Sequence, residues 1–103
     1  NRVVNFMNYN IESNLKLADF ANLCGFSVSY FYRKFVKETG HSPMDYFTRL
    51  KINKACKLLI QTDMKVNQIA HKLGFKESQY FSRTFSNVMG LSPMEFRRQN
   101  FRL

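Results

Sequence analysis

A stretch of about a dozen residues occurs twice, and this repetition restricts the fold more than any other feature of the chain. Residues 25–35 read GFSVSYFYRKF and residues 74–85 read GFKESQYFSRTF. Both run Gly-Phe, then Tyr-Phe, then Arg two places on and Phe two places after that. The matched positions extend further. Ala21 and Ala70, like Gly25 and Gly74, are 49 apart, whereas Phe31 and Phe81, Arg33 and Arg83, Phe35 and Phe85, Gly40 and Gly90, and Pro43 and Pro93 are 50 apart. One extra residue therefore enters the second copy, and the spacing suggests that it does so near Gln79. Two copies make a duplicated unit and not a solenoid, which needs three or more.

The apolar spacing inside each copy is helical. Leu17, Phe20, Ala21 and Cys24, and then Val66, Ile69, Ala70 and Leu73, follow i, i+3, i+4, i+7 and run into a glycine suited to a left-handed cap. After Gly-Phe a second helix is expected, about 28–38 in the first copy and 77–88 in the second. Val28, Phe31 and Phe35, and then Phe81, Phe85 and Val88, form its buried side. A short helix, a tight glycine turn and a longer helix make a helix-turn-helix.

Each copy then reaches Ser-Pro-Met-acid, SPMD at 42–45 and SPME at 92–95. Serine is an N-cap, proline fits N1, and an acid three residues after the serine can close a capping box, Asp less well than Glu. From Pro43 the pattern Phe47, Leu50, Ile52, Ala55, Cys56, Leu59 meets no breaker until Gln61-Thr62-Asp63. With an opening helix over Val3–Tyr9 and a closing one over Pro93–Asn100, the expectation is seven helices and no strand. The fold class is all-α: two helix-turn-helix subdomains (1–41 and 63–103), homeodomain-like and duplicated, joined by a linker helix (42–62) in a single domain of residues 1–103.

Sixteen Lys and Arg against seven Asp and Glu give a net charge of +9, so a polyanion is the leading partner. On a helical wheel, Gln79, Arg83 and Ser86 lie opposite Phe81 and Phe85, with Ser82 on the shoulder. The first copy puts Ser29, Arg33 and Lys37 on the equivalent face, with Tyr32 where Ser82 lies. Facing a major groove, Arg can bind guanine O6 and N7 in a bidentate manner and Gln can do the same to adenine. Lys16 and Lys65 stand where a Ser or Thr N-cap is preferred. A cation at the positive end of a helix is unfavourable unless a phosphate sits there, so these two lysines are expected to hold the DNA backbone, together with Lys37 and Lys76.

Other chemistries find little support. Cys24 and Cys56 form no C-x-x-C and are expected to be buried thiols in a reducing compartment; His41 and His71 have no partner at ligand spacing. No metal, no cofactor and no catalytic group is expected. No apolar run approaches the roughly 18 residues of a membrane span, and no signal peptide is visible, so a cytoplasmic, nucleoid-associated location is expected. The chain opens at Asn1 without an initiator Met and enters a helix at once, the pattern of a domain cut from something longer.

The order A-x-x-C-G-F-S-x-S-Y-F-x-R-x-F, G-H-S-P, then I-A-x-x-L-G-F-x-x-S-x-Y-F-S-R-x-F and G-L-S-P-x-x-F-R closely resembles the C-terminal DNA-binding domain of the AraC/XylS family of bacterial transcription regulators. The resemblance covers Asn5 to Arg98. It implies two recognition helices in successive major grooves of an asymmetric site. The base-contacting positions it implies are Ser29, Tyr32 and Arg33 in the first helix, and Ser78, Gln79, Ser82 and Arg83 in the second. Ser78 lies toward the buried side of the wheel and could touch a phosphate at the helix start instead. Lys51 stands where the family commonly has Arg. The resemblance also implies a separate regulatory or dimerisation domain and RNA polymerase as partners of the whole protein. Two other readings stay open on the residues alone: an architectural module that binds nucleic acid without sequence preference, and the DNA-targeting appendage of a repair enzyme. RNA binding would require aromatics exposed for stacking, and only Tyr30 and Tyr32 stand outside the expected core.

Overall fold

The structure, a computed structural model, describes residues 2–100; residue 1 and residues 101–103 of the expected 1–103 domain lie outside the described residues. Among these are seven helices and no strand: α1 (Arg2–Tyr9), α2 (Leu17–Cys24), α3 (Val28–Thr39), α4 (Pro43–Gln61), α5 (Val66–Lys72), α6 (Ser78–Met89) and α7 (Pro93–Gln99). The order is the expected one, since the apolar spacing, the serine caps at Ser27, Ser42 and Ser92, and the left-handed glycines at 25, 40, 74 and 90 are all local signals. None of these helices is long and apolar enough to cross a membrane.

The chain divides into two compact units, the first ending at Leu50 and the second starting at Lys51, so α4 gives one half to each. In the first unit Val3 and Met7 of α1, Phe20 and Ala21 of α2, Phe31 and Phe35 of α3, and Phe47 of α4 form the core. Phe20 is its centre, edge-on to Phe47 at 5.3 Å and to Phe6 at 6.1 Å. In the second unit Ile52, Ala55 and Leu59 of α4 pack with Ile69, Ala70, Leu73, Phe75, Phe81 and Phe85. Phe81 meets Phe75 at 5.1 Å, and Phe85 meets Phe96 at 5.6 Å. Two helical residues a turn apart therefore pin α3 (Phe31, Phe35) and α6 (Phe81, Phe85), with Val88 and Met89 packed partly against the second core, and the face opposite these residues is left for solvent or a ligand.

The turn before each pinned helix has one hydrogen-bond pattern. Gly25 N donates to Asn22 O and Phe26 N to Ala21 O, both at 3.1 Å; Gly74 N donates to His71 O and Phe75 N to Ala70 O, both at 3.0 Å. This is a Schellman motif, which needs a left-handed residue. Gly25 at φ 71° and Gly74 at φ 84° supply it, so a Cβ at either position would strain the turn.

The turns differ in length, which corrects the register of the repeat. Ser27 caps α3 two residues after its glycine, whereas Glu77 precedes α6 three residues after its own. The extra residue thus lies in the turn, before Glu77, and not near Gln79. From the first residue of each helix onward, the two copies are 50 apart throughout, Val28 matching Ser78.

Val28 is also a correction. The wheel places it near Phe35, but it is the first residue of α3 and is 43% exposed, because the core ends a turn further along. Cys24 and Cys56 are free thiols, half-buried where full burial was expected.

Candidate nucleic-acid interface

The two lysines at the helix starts are where the sequence puts them, with a compensation that the sequence reading missed. Lys16 and Lys65 are the N-cap residues of α2 and α5, and neither side chain caps its helix. Their backbone amides instead donate to the third helical side chain, Lys16 N to Asp19 Oδ2 at 2.7 Å and Lys65 N to Gln68 Oε1 at 2.9 Å. Half of a capping box is thus kept while the lysine side chain stays exposed. The signal was visible as an acid or amide three residues after each lysine.

On α3, Ser29, Tyr32, Arg33 and Lys37 are exposed; on α6, Gln79 and Arg83 are exposed, while Ser78 and Ser82 are half-buried. Lys76 is exposed in the longer turn. Each unit therefore gathers its own row, Ser29-Tyr32-Arg33 in one and Ser78-Gln79-Ser82-Arg83 in the other. Among the described residues no ion pair occupies Arg33 or Arg83, whereas Lys34 is held by Glu38 at 3.6 Å and Arg49 by Asp45 at 3.0 Å. Two guanidiniums at matched positions thus remain open to an incoming acceptor. Tyr30, Arg33, Lys34 and Lys37 also line a shallow groove of about 260 Å³ along α3, three cations and a phenol suited to an anionic backbone.

More aromatic rings are exposed than the sequence suggested, Tyr9, Phe26 and Tyr80 besides Tyr30 and Tyr32. Tyr30 and Tyr80 are matched positions with a structural use. Each ring packs on the Phe that follows the turn glycine, Phe26 at 4.8 Å and Phe75 at 5.9 Å. No group of three residues that could hold a metal is found among the described residues.

Residues 9–99 match the model of a helix-turn-helix domain family of AraC/XylS type. The chain belongs to that family. Among AraC/XylS relatives, the MmsAB operon regulatory protein of Pseudomonas aeruginosa is 37% identical over 94 residues, 91% of this chain and 31% of the relative. The multiple antibiotic resistance protein MarA of Escherichia coli is 30% identical over 98 residues, 95% of this chain and 77% of MarA. The chain therefore spans about a third of the first relative's length and most of the second's. Among solved structures, the C-terminal domain of AraT, a response regulator from Geobacillus stearothermophilus, superposes with a TM-score of 0.93 at 28% identity, over 99% of this chain and 85% of that one.

Proposed function

We propose that this AraC/XylS domain binds double-stranded DNA sequence-specifically for a bacterial transcription regulator, with α3 and α6 as the recognition helices. The observation that carries this reading is the duplicated row. Two phenylalanines pin each helix, and above them stand an exposed Arg at a matched position, 33 or 83, and small or amide side chains able to approach base edges. Arg33 and Arg83 bind guanine, Gln79 binds adenine, and Ser29, Tyr32, Ser78 and Ser82 complete the base contacts. Lys16, Lys37, Lys65 and Lys76 hold phosphates, in keeping with the +9 charge. The site so read is asymmetric, with two boxes in successive major grooves. The domain works by binding, without catalysis, in the cytoplasm. Its partners in the whole protein are a regulatory or dimerisation domain and RNA polymerase.

Arg83→Ala tests the reading. Its expected cost is about 1 to 3 kcal/mol on the preferred duplex, with relaxed preference at one base pair. Equal losses on preferred and random DNA would leave charge alone as the mechanism.

A further inference from the structure

With the register corrected, the second unit's row is Ser78, Gln79, Ser82 and Arg83, and the same four places in the first unit are Val28, Ser29, Tyr32 and Arg33. Three of the four in the first unit were already assigned to bases. The fourth, Val28, was assigned to the core, and the structure removes it from there. It is the first residue of α3, one turn before Tyr32, and is 43% exposed.

Scattered apolar residues on a surface need no explanation. Val28 differs because of its place. The first turn of a recognition helix is the part that reaches base edges, and a valine there has no hydrogen bond to offer. Its branched side chain is a poor choice for an exposed helix start on propensity alone. What it can recognise is the one apolar group a base pair shows in the major groove, the C5-methyl of thymine. Resting on the DNA-binding reading above, we infer that Val28 is a specificity residue of the first unit and selects a thymine by apolar contact with its methyl group. The two helices, built on one plan, would then ask different questions at the same position: a methyl group for Val28, and a hydrogen-bonding edge or a phosphate for Ser78.

The experiment uses the 103-residue chain and, as probe, the duplex most enriched from a randomised pool. Each thymine of the box read by the first unit is replaced in turn by deoxyuridine, which keeps every hydrogen-bonding group and lacks only the methyl. The expected result is one position where deoxyuridine weakens wild-type binding about fourfold, the worth of one methyl group. V28A weakens binding to the thymine duplex by a similar factor and is indifferent to deoxyuridine at that position. Because Val28 lies outside the core, an unchanged melting temperature of V28A shows that the fold is intact. A box without thymine, a wild type indifferent to deoxyuridine throughout, or a V28A variant that keeps the full sensitivity would each overturn the assignment while leaving sequence-specific binding standing. A pool with no enriched motif would remove both.

Discussion

Lys51 Nζ donates a 2.6 Å hydrogen bond to the backbone carbonyl of Leu73, across 22 residues of sequence. The lysine is 7% exposed and is the one buried charged residue of the described chain. Its acceptor is the carbonyl just before Gly74, at the negative end of α5, where a cation is electrostatically favoured. Lys51 of α4 thereby ties the linker helix to the turn that sets the entry of α6.

Lys51→Met should therefore destabilise the second unit by about 1.5 to 3 kcal/mol, the scale of a hydrogen bond to a charged group. Denaturant titration read by hydrogen exchange would check this, with Ile69 and Phe81 amides losing protection and Phe20 and Phe31 amides unaffected.

The two separate cores give a second prediction. Phe85→Ala should cost about 3 to 5 kcal/mol and unfold the second unit first, turning a cooperative melt into two steps. A single transition with an unchanged midpoint would show that Phe85 does not hold α6.

Lys16→Ala and Lys65→Ala should weaken binding to every duplex alike and reduce the slope of log K against log salt by about one. Because the backbone amides of both lysines are satisfied by Asp19 and Gln68, the melting temperature should hardly change. An unaltered salt slope would remove these lysines from the DNA backbone.

Glu95 carries a pH prediction. The Ser92 amide and then the Ser92 hydroxyl hold its carboxyl below the usual carboxylate range. A depressed folded value stabilises the protein above the unfolded value, and that stabilisation is lost as pH falls through the folded one. The melting temperature of Glu95→Gln should lie below wild type at about pH 7, and the gap should close in acid, below about pH 4. A gap that persists in acid would assign the difference to packing.

Where the sequence was legible, the signal was local. The Ser92 box is complete, with Ser92 N on Glu95 Oε1 at 2.9 Å and Glu95 N on Ser92 Oγ at 3.1 Å. The poorer box at Ser42 is half-made, as the shorter acid suggested: Ser42 Oγ accepts from Asp45 N, while Asp45 Oδ2 turns to Arg49 and His41. The four-residue spacing of Phe31 and Phe35, and of Phe81 and Phe85, also placed α3 and α6 to within a residue at each end. What stayed hidden depends on tertiary ends and reach. Val28 has the azimuth of a core residue, and only the point where the core stops reveals its exposure. Lys51 and Arg97 look like surface cations, yet Lys51 reaches Leu73 O, and Arg97 reaches Leu59 O at 2.9 Å and Thr62 O at 3.1 Å to cap the end of α4. Long side chains that cross to a carbonyl tens of residues away leave no periodic trace. The outward placement of Ser29, Tyr32, Arg33, Gln79 and Arg83 was legible from the wheel, whereas Ser82 on the shoulder and Ser78 are half-buried, and the match of Val28 to Ser78 follows from a register that only the turn lengths fix.

The most direct test of base reading by both rows is selection of this domain against randomised duplex DNA at near-physiological salt, with sequencing of the bound pool. The expected pool shows an asymmetric motif of two boxes about one helical turn apart, roughly 10 base pairs between centres. A single enriched box, or none, would contradict it.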